Sequence, residues 1–270
     1  MLRSQDIIYS IGTVLCCLFV SAISMHYSSV AYRGPDEGNH FAMVDFHSKN
    51  TRLATWEDFR FGTKRGHAYH LFSPVGYIPY VPFLILEDSK SERKQGNDQR
   101  LNSSRLGGIA YAVLQFLLTL AICLILFPSR LSALLATTAL NSYIQLRYLH
   151  AYINADSFAI LASTFAAYCI VRLLSASSLS FTTSLLTGLA AGSVLLGKYN
   201  GFISAFVLGL VFLHSVIRFP SGVVSKLRHV AFAACAALIC SFWFHFHIYH
   251  ELAGKSVLAG KEHLGLMHST

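Results

Sequence analysis

The stretch that decides the fold is IIYSIGTVLCCLFVSAISMHYS, residues 7–28, which holds no Asp, Glu, Lys or Arg. A helix needs about 20 apolar residues to cross a bilayer core of ~30 Å, so this stretch is long enough to span a membrane. A cleaved signal peptide is the alternative. Its apolar run is usually only about 7–15 residues long, and no small-x-small cleavage site precedes a polar start here. We therefore predict an uncleaved membrane anchor.

The rest of the chain repeats this apolar character after one polar interval. Hydrophobic residues make up 54% and charged residues 13% of the 270 residues, against about a quarter charged in a soluble globular chain. Most of the charge lies within 32–105. The further predicted spans are 106–127, 131–148, 157–174, 181–196, 202–217 and 229–249. The sequence therefore predicts an all-α integral membrane protein with about seven transmembrane helices, forming a single membrane domain over residues 1–270.

Basic residues in the short connections set the predicted orientation. With the amino terminus in the cytoplasm, Arg130, Arg172 and Arg218 all fall on the cytoplasmic side. The large loop of residues 29–105 and the tail of residues 250–270 then face outward. We expect a multi-pass protein of a bacterial inner membrane or an endomembrane, with its active face periplasmic or lumenal.

The large outer loop is predicted to carry short interfacial helices. Residues 35–47 have the pattern of a short amphipathic helix that begins with acidic residues. Residues 73–86 are apolar but too short and too rich in proline to span, which predicts an interfacial or re-entrant segment with its tyrosines at headgroup depth. Residues 88–104 are strongly charged, and we expect them to be solvated or mobile.

The charge, cysteine and histidine patterns argue against a nucleic-acid-binding protein and against a metal site. The formal net charge is +8, but the basic residues form no stripe interleaved with aromatics, so no nucleic-acid partner is predicted. The six cysteines all fall in apolar runs without a CxxC pair, as expected for small core or lipid-facing residues. His245 and His247 lack the i, i+4 spacing of two ligands on one helix face, and no metal site is predicted.

The strongest candidate for chemistry is the segment 35–40, Pro-Asp-Glu-Gly-Asn-His. Asp36 and Glu37 are adjacent carboxylates close to a membrane surface, where desolvation costs several kcal/mol unless partners or a substrate compensate. Such a carboxylate can accept the proton of a sugar hydroxyl as a general base. It can also ligate a divalent cation, which is the one cofactor that these residues suggest. The alternative interpretation is a helix N-terminus with solvated acids.

Two further candidates flank the predicted spans. Asp156 belongs to the segment Asn-Ala-Asp-Ser at 154–157, for which the alternative is simple capping of the next helix. Arg105 stands at the outward mouth of the second span. Its planar guanidinium is suited to a lipid phosphate, although it could equally mark the end of the helix.

The remaining candidates are also predicted to face outward. Lys198 and Tyr199 belong to the segment Gly-Lys-Tyr-Asn-Gly at 197–201, where the lysine either holds a phosphate or extends its charge to the interface. His70 in the outer loop is a further candidate for contact with a substrate. Because the stronger candidates share one side of the membrane in a topology chosen on other grounds, we predict one shared site.

These motifs resemble those of a known family. Pro-Asp-Glu followed by His directly after the first span resembles the first outer loop of polytopic GT-C type glycosyltransferases, which include the protein mannosyltransferases and the aminoarabinose transferases. The Arg-Leu pair at 105–106, the Asn-Ala-Asp-Ser segment and LTGLAAGSVLLGKYNGF at 186–202 are similar to the same families. The similarity covers residues 33–202 and rests on the order of short motifs.

The resemblance implies a membrane glycosyltransferase that moves a sugar from a polyprenyl-phosphate donor to an acceptor on the outer side. Asp36 would deprotonate the acceptor, and Glu37 would support the site. Arg105 and Lys198 would bind the donor phosphate, whose developing charge requires a cation. The residues carried over to shape the site are His40 and Asp156. The lipid bilayer is the implied environment, and the sequence does not specify the acceptor.

Two departures from the family pattern keep other functions open. Members of the family typically continue with more spans and an outer carboxy-terminal domain, and their paired loop prolines are here dispersed as Pro74, Pro79 and Pro82. We therefore expect a core module, a truncated product or half of a complex, with a partner subunit supplying the missing half. The alternatives are a non-catalytic membrane subunit and a transporter or flippase. A transporter requires ionisable residues near the midplane, where Gln115 and Thr137 are uncharged.

Overall fold

The computed structural model describes residues 4–30, 34, 36–55, 58, 72–90, 97–197 and 201–253. Within these ranges the chain contains no β-strand. It consists of α-helices, their connections and two 3-10 turns at Pro74–Gly76 and Ile78–Tyr80. The helices are α1 Ser4–Val30, α2 Glu37–Lys49, α3 Val81–Lys90, α4 Asn97–Ser104, α5 Gly107–Leu126, α6 Arg130–Asn141, α7 Ile144–Ala151, α8 Asp156–Ser175, α9 Phe181–Leu196, α10 Phe202–Arg218 and α11 Val223–Ala253.

Four of the described helices are long and apolar enough to cross a membrane. These stretches are Tyr9–Ser28, Asp98–Leu126, Asp156–Ser175 and Val223–His250, and α9 and α10 are shorter apolar helices. Large apolar side chains lie exposed on their surfaces, among them Phe206 at 67% and Ile239 at 79%. Such surfaces are stable when they face lipid. The chain is therefore an all-α, multi-pass integral membrane protein, as the sequence predicts, and the count of seven spans stays a prediction.

The third predicted span, 131–148, is divided into two helices. α6 has 12 residues and is therefore about 18 Å long, shorter than the bilayer core. At its end, Asn141 Nδ2 donates to the Thr137 carbonyl at 3.0 Å and Ser142 Oγ donates to the Thr138 carbonyl at 2.7 Å. Tyr143 is then extended, with ψ of 121°, and α7 begins after it. Hydropathy cannot distinguish this break from one continuous helix.

Small residues bring α9 and α11 into close contact. A Cβ placed on Gly188 would lie 2.2 Å from the carbonyl oxygen of Ala233, and one on Gly192 would lie 2.6 Å from Cβ of Cys240. Glycine spaced four residues apart lets helix backbones approach in a bilayer, where packing rather than water exclusion holds helices together. These two helices, with α8 and α10, form the core of the second half of the chain.

The outer-loop module, which we define as residues 36–55, 72–90 and 97–104, shares a core with Tyr111 of α5 and with Ile153 and Ala155, which precede α8. Tyr77 and Tyr80 are fully buried in it, and their expected position at headgroup depth stays a prediction. Arg100 bridges Asp45 of α2 and Asp88 of α3. Residues 97–104 of the charged segment thus form a packed helix, because their basic side chain has two fixed carboxylate partners.

The last helix contacts the outer-loop module. His247 Nε2 on α11 lies 3.0 Å from the carbonyl oxygen of Ala54. Ala54 is itself 3% exposed and belongs to the core of the module. The carboxy-terminal end of the helical bundle is therefore joined to the first loop of the chain.

Candidate functional site

Asp36 stands at the start of α2 in an unusual backbone conformation. Its φ of 57° and ψ of 11° are left-handed, and it is the one non-glycine residue with positive φ in the described part of the chain. This region favours glycine, asparagine and aspartate over other residues. The side chain is exposed and makes no capping hydrogen bond. The backbone carbonyl accepts instead from the N–H of Asn39 at 2.9 Å. The carboxylate is therefore presented outward by a fixed turn.

Glu37 has the opposite surroundings, although it is the next residue. Its side chain is fully buried and forms a two-pronged ion pair with Arg105, Nε to Oε1 at 2.8 Å and Nη2 to Oε2 at 2.6 Å. The backbone N–H groups of Ile153 and Gly34 donate to the same two oxygens at 3.0 Å and 3.1 Å. A carboxylate with four charge-assisted donors is strongly held. Glu37 thus fixes the start of α2 against three separate segments.

Arg105 is equally committed to protein partners. It is 5% exposed, and Nη1 donates to the carbonyl of Ser28 at 2.9 Å and to Asn102 Oδ1 at 3.1 Å. Together with the two bonds to Glu37, these use four of the five N–H groups of the guanidinium. These bonds leave no face of the guanidinium free for a donor phosphate, so the geometry does not support the predicted phosphate-binding role of Arg105. The geometry favours a positioning role.

Tyr152 interacts electrostatically with both Asp36 and Asp156. The ring of Tyr152 lies against Gly34 so closely that a Cβ there would be 2.3 Å from Cδ2, which explains the glycine before the acidic pair. Burial raises the pKa of Tyr152 to about 12, and the negative charges of Asp156 and Asp36 act in the same direction. The phenol therefore stays protonated, under the influence of two carboxylates that lie far apart in the sequence.

Asp156 lies at the mouth of a groove along α8. The residues that line it recur every three or four positions, so they form one face of that helix. The cavity measures about 530 Å³, and its wall is apolar apart from Asp156 and two hydroxyls. The lining residues are Leu149, Asp156, Ala159, Ile160, Ser163, Thr164, Ala167 and Gly201.

The capping role in this turn is carried out by Asn154 instead of Asp156. Asn154 Oδ1 accepts from the N–H of Ser157 at 2.9 Å, and its amide donates to the carbonyls of Leu149 at 2.6 Å and Tyr152 at 2.9 Å. The turn is thus rigid. Its acidic residue faces the groove at intermediate exposure.

His40 lies on α2 close to Asp36, but its side chain is buried and is not exposed at the site. It is 5% exposed, and its Nδ1 lies 2.8 Å from the hydroxyl of Tyr77. This bond ties α2 to the turn at Ile78–Tyr80. His40 therefore orients the helix that carries Asp36. His70, Lys198 and Tyr199 lie outside the described residues.

Three buried residues with polar groups, Tyr111, Arg147 and His150, were not among the predicted site residues. Tyr111 of α5 donates its hydroxyl to the carbonyl of Gly76 at 3.0 Å and stacks on His150 with an interplanar angle of 13°. Burial lowers the pKa of His150 to about 3, so this histidine is neutral. Arg147 and His150 are three residues apart, a spacing that places both on one helix face. That spacing was the available signal.

Metal ligands are not clustered in this part of the protein. Within the described ranges no group of three or more His, Cys, Asp or Glu side chains could hold an ion. The divalent cation suggested by the adjacent carboxylates therefore remains a prediction.

The fold and this site together define a class, that of multi-pass membrane proteins with an exposed carboxylate on a loop module and an apolar groove along a long helix. The family model described as dolichyl-phosphate-mannose-protein mannosyltransferase matches residues 68–251, so the chain belongs to that family, which is of the GT-C type. Asp36, Glu37 and His40 precede the matched residues. Neither a curated protein nor a solved structure matches the chain.

Proposed function

We propose that this protein transfers a sugar from a polyprenyl-phosphate carrier to an acceptor hydroxyl on the outer side of the membrane, with Asp36 as the general base. Membership of the family supports a glycosyltransferase with a lipid-linked donor. One observation carries the assignment of the base. Of two adjacent carboxylates, Glu37 is buried in an ion pair with Arg105, whereas Asp36 is exposed on a fixed left-handed turn.

The proposed reaction replaces one C–O bond by another and transfers one proton. The acceptor oxygen attacks the anomeric carbon of the sugar while Asp36 takes the hydroxyl proton. The bond from that carbon to the phosphate oxygen breaks, and the electron pair leaves with the polyprenyl phosphate. Lys198 is our proposed cation for the charge that develops on this leaving group. Glu37 and Arg105 act by holding the start of α2 in place.

The groove on α8 is the proposed position of the isoprenoid chain. It is lined by Ala159, Ile160 and Ala167 and runs from Asp156 along a helix that can span the membrane. An apolar chain in such a groove keeps its phosphate at the Asp156 end, next to the turn that contains Tyr152. Tyr152 remains protonated and so can donate a hydrogen bond to a donor or acceptor oxygen.

The decisive experiment compares wild type with Asp36→Asn in membranes supplied with labelled polyprenyl-phosphate sugars. Asparagine also accepts a left-handed backbone, so the variant removes the base while keeping the turn. We expect sugar transfer to fall by about 10²–10⁴-fold, the usual contribution of a general base. Asp88→Asn, the same change at a carboxylate paired with Arg100, should retain wild-type activity. An undiminished rate in Asp36→Asn would exclude Asp36 as the base.

A further inference from the structure

Arg147 is a buried cation that lacks a counter-charge. It lies on α7 with a relative exposure of 0%. Nη1 donates to Ser24 Oγ at 3.5 Å, Nη2 donates to Asn141 Oδ1 at 3.3 Å, and Nε has no partner. Both acceptors are neutral, and both distances are long. Across the part of the chain that the structure describes, no ion pair includes Arg147.

Arg105 has the anionic partner that Arg147 lacks. Arg105 is similarly buried, yet it has the carboxylate of Glu37 and two further oxygens. A guanidinium stays protonated under all ordinary conditions. Taking such a charge out of water is costly unless an anion and good hydrogen bonds compensate. Arg147 therefore has the surroundings of one half of an ion pair.

The position of Arg147 suggests where the anion comes from. Its guanidinium reaches Ser24 on α1, four residues before Ser28, where the candidate span ends. Four residues of helix correspond to about 6 Å. The charge thus lies just below the end of the span that leads into the outer-loop module. Arginine side chains near helix ends extend toward the lipid headgroups from such depths.

Arg147 is fully buried, and a cavity lies on the same face of α7, between this helix and α1. It measures about 440 Å³ and is lined by Tyr27 of α1 and by Tyr143, Ile144, Gln145 and Tyr148. Tyr27 is one helical turn from Ser24, and Tyr148 is adjacent to Arg147 in the chain. Tyrosines suit the interface because the ring packs against acyl chains while the hydroxyl bonds to polar groups. The cavity therefore combines an apolar wall with hydroxyl donors, on the helix face that carries an unpaired cation.

We infer that this α1–α7 cleft binds the phosphate group of a membrane lipid, with Arg147 as its cation. The guanidinium is held by two long bonds to neutral oxygens, so little is lost when its side chain turns toward a phosphate in the cleft. Ile144 and the exposed surface of α1 accommodate the lipid chains. The cleft is separate from the groove on α8, and binding there requires no sugar transfer.

The test measures the thermal unfolding of the purified full chain in detergent with added lipids. Each phosphate lipid is compared with a matched lipid that lacks the phosphate, namely phosphatidylglycerol with diacylglycerol of the same acyl chains, and undecaprenyl phosphate with undecaprenol. A ligand that binds the folded state raises Tm. We expect at least one phosphate lipid to raise Tm by several degrees and its phosphate-free match to leave it unchanged. Whichever pair gives the shift identifies the source of the phosphate.

Arg147→Gln is the decisive variant. It should lose the lipid-dependent rise in Tm while being at least as stable as wild type without lipid, because an uncompensated buried charge has been removed. Arg172→Gln, at an exposed arginine bonded to the Tyr168 hydroxyl, should keep the wild-type rise. Tyr148→Phe removes one hydroxyl from the cleft and should weaken the rise in Tm even if Arg147→Gln does not fold.

Three results would overturn the inference. The first is an equal rise in Tm for Arg147→Gln and wild type. The second is an equal rise from each phosphate lipid and its phosphate-free match. The third is a rise of the same size from inorganic phosphate alone, which would remove the lipid from the assignment.

Discussion

Asp36 and Glu37 are adjacent but have different proposed roles, Asp36 as the general base and Glu37 as a positioning residue. Glu37 is 1% exposed and bonded to four donors, whereas Asp36 is exposed. Asp36 lies in the left-handed turn that precedes α2, whereas Glu37 is the first residue of that helix. Substitutions can therefore test the structural role of Glu37 and the catalytic role of Asp36 separately.

Glu37→Gln should reduce stability as well as activity. It leaves Arg105 buried without a counter-charge, which costs about 3–5 kcal/mol. The free energy of unfolding in mixed micelles measures this loss. Asp88→Asn removes one partner of a partly exposed pair and should cost less than about 1 kcal/mol.

A double variant distinguishes positioning from catalysis at Glu37. Combining Glu37→Gln with Arg105→Gln replaces the ion pair by two neutral amides and should recover part of the lost stability and activity together. If Glu37→Gln lost sugar transfer at full stability, Glu37 would act in the chemistry itself, and its positioning role would be refuted.

His150 gives the protein a pH-dependent stability. Burial lowers the pKa of His150 to about 3 from its ordinary value of 6.5. Between these values the unfolded chain binds a proton that the folded chain does not, so the free energy of unfolding falls as the pH drops below about 6.5. The contribution approaches about 1.4 kcal/mol per pH unit. His150→Phe keeps the stack on Tyr111, and its stability should depend less on pH across this window. Identical pH profiles for the two proteins would contradict this account.

At the scale of elements, close backbone approach determines where helices can cross. Gly108 of α5 lies against α7, and a Cβ there would be 1.8 Å from the carbonyl oxygen of His150. Because that atom is backbone, a larger side chain cannot be accommodated by a rotamer change. The contact also sets the position of Tyr111, one turn further along α5.

Gly108→Ala should therefore destabilise the protein by about 2 kcal/mol or more, as overpacking against backbone does. Gly209→Ala is the matched control, since a Cβ there meets nothing within 4 Å and alanine is the better helix former. Thermal unfolding of the two purified variants measures the difference. Equal Tm values would mean that α5 and α7 do not approach as closely as the structure shows.

The sequence predicted local elements well and distant pairings poorly. The helix expected at 35–47 is found at Glu37–Lys49, because its acidic start and apolar periodicity are local signals. The break after Asn141 lies at the extended backbone of Tyr143, which hydropathy does not reveal. The pairing of Glu37 with Arg105 joins residues 68 positions apart. The sequence named both residues, but a single sequence carries no signal that one neutralises the other.

For the whole molecule, the predicted orientation has a direct test. Ser89 is exposed on α3, and Ser221 is exposed between α10 and α11. In intact cells a membrane-impermeant maleimide should label Ser89→Cys, whereas Ser221→Cys should react only after permeabilisation. The exposed native Cys235 lies in the candidate span Val223–His250, so unsubstituted protein provides the background. The reverse pattern of labelling would invert the topology and place the Asp36 site in the cytoplasm.

The contact between His247 and Ala54 has a consequence for the timing of biosynthesis. These residues are 193 positions apart, which at about 5–20 residues per second corresponds to roughly 10–40 s of translation. During that interval the outer-loop module has left the ribosome without its contact to α11. The module is thus among the first polar segments to be made and among the last to be fixed. A nascent chain would carry the Asp36 turn long before the final helix secures the surface around it.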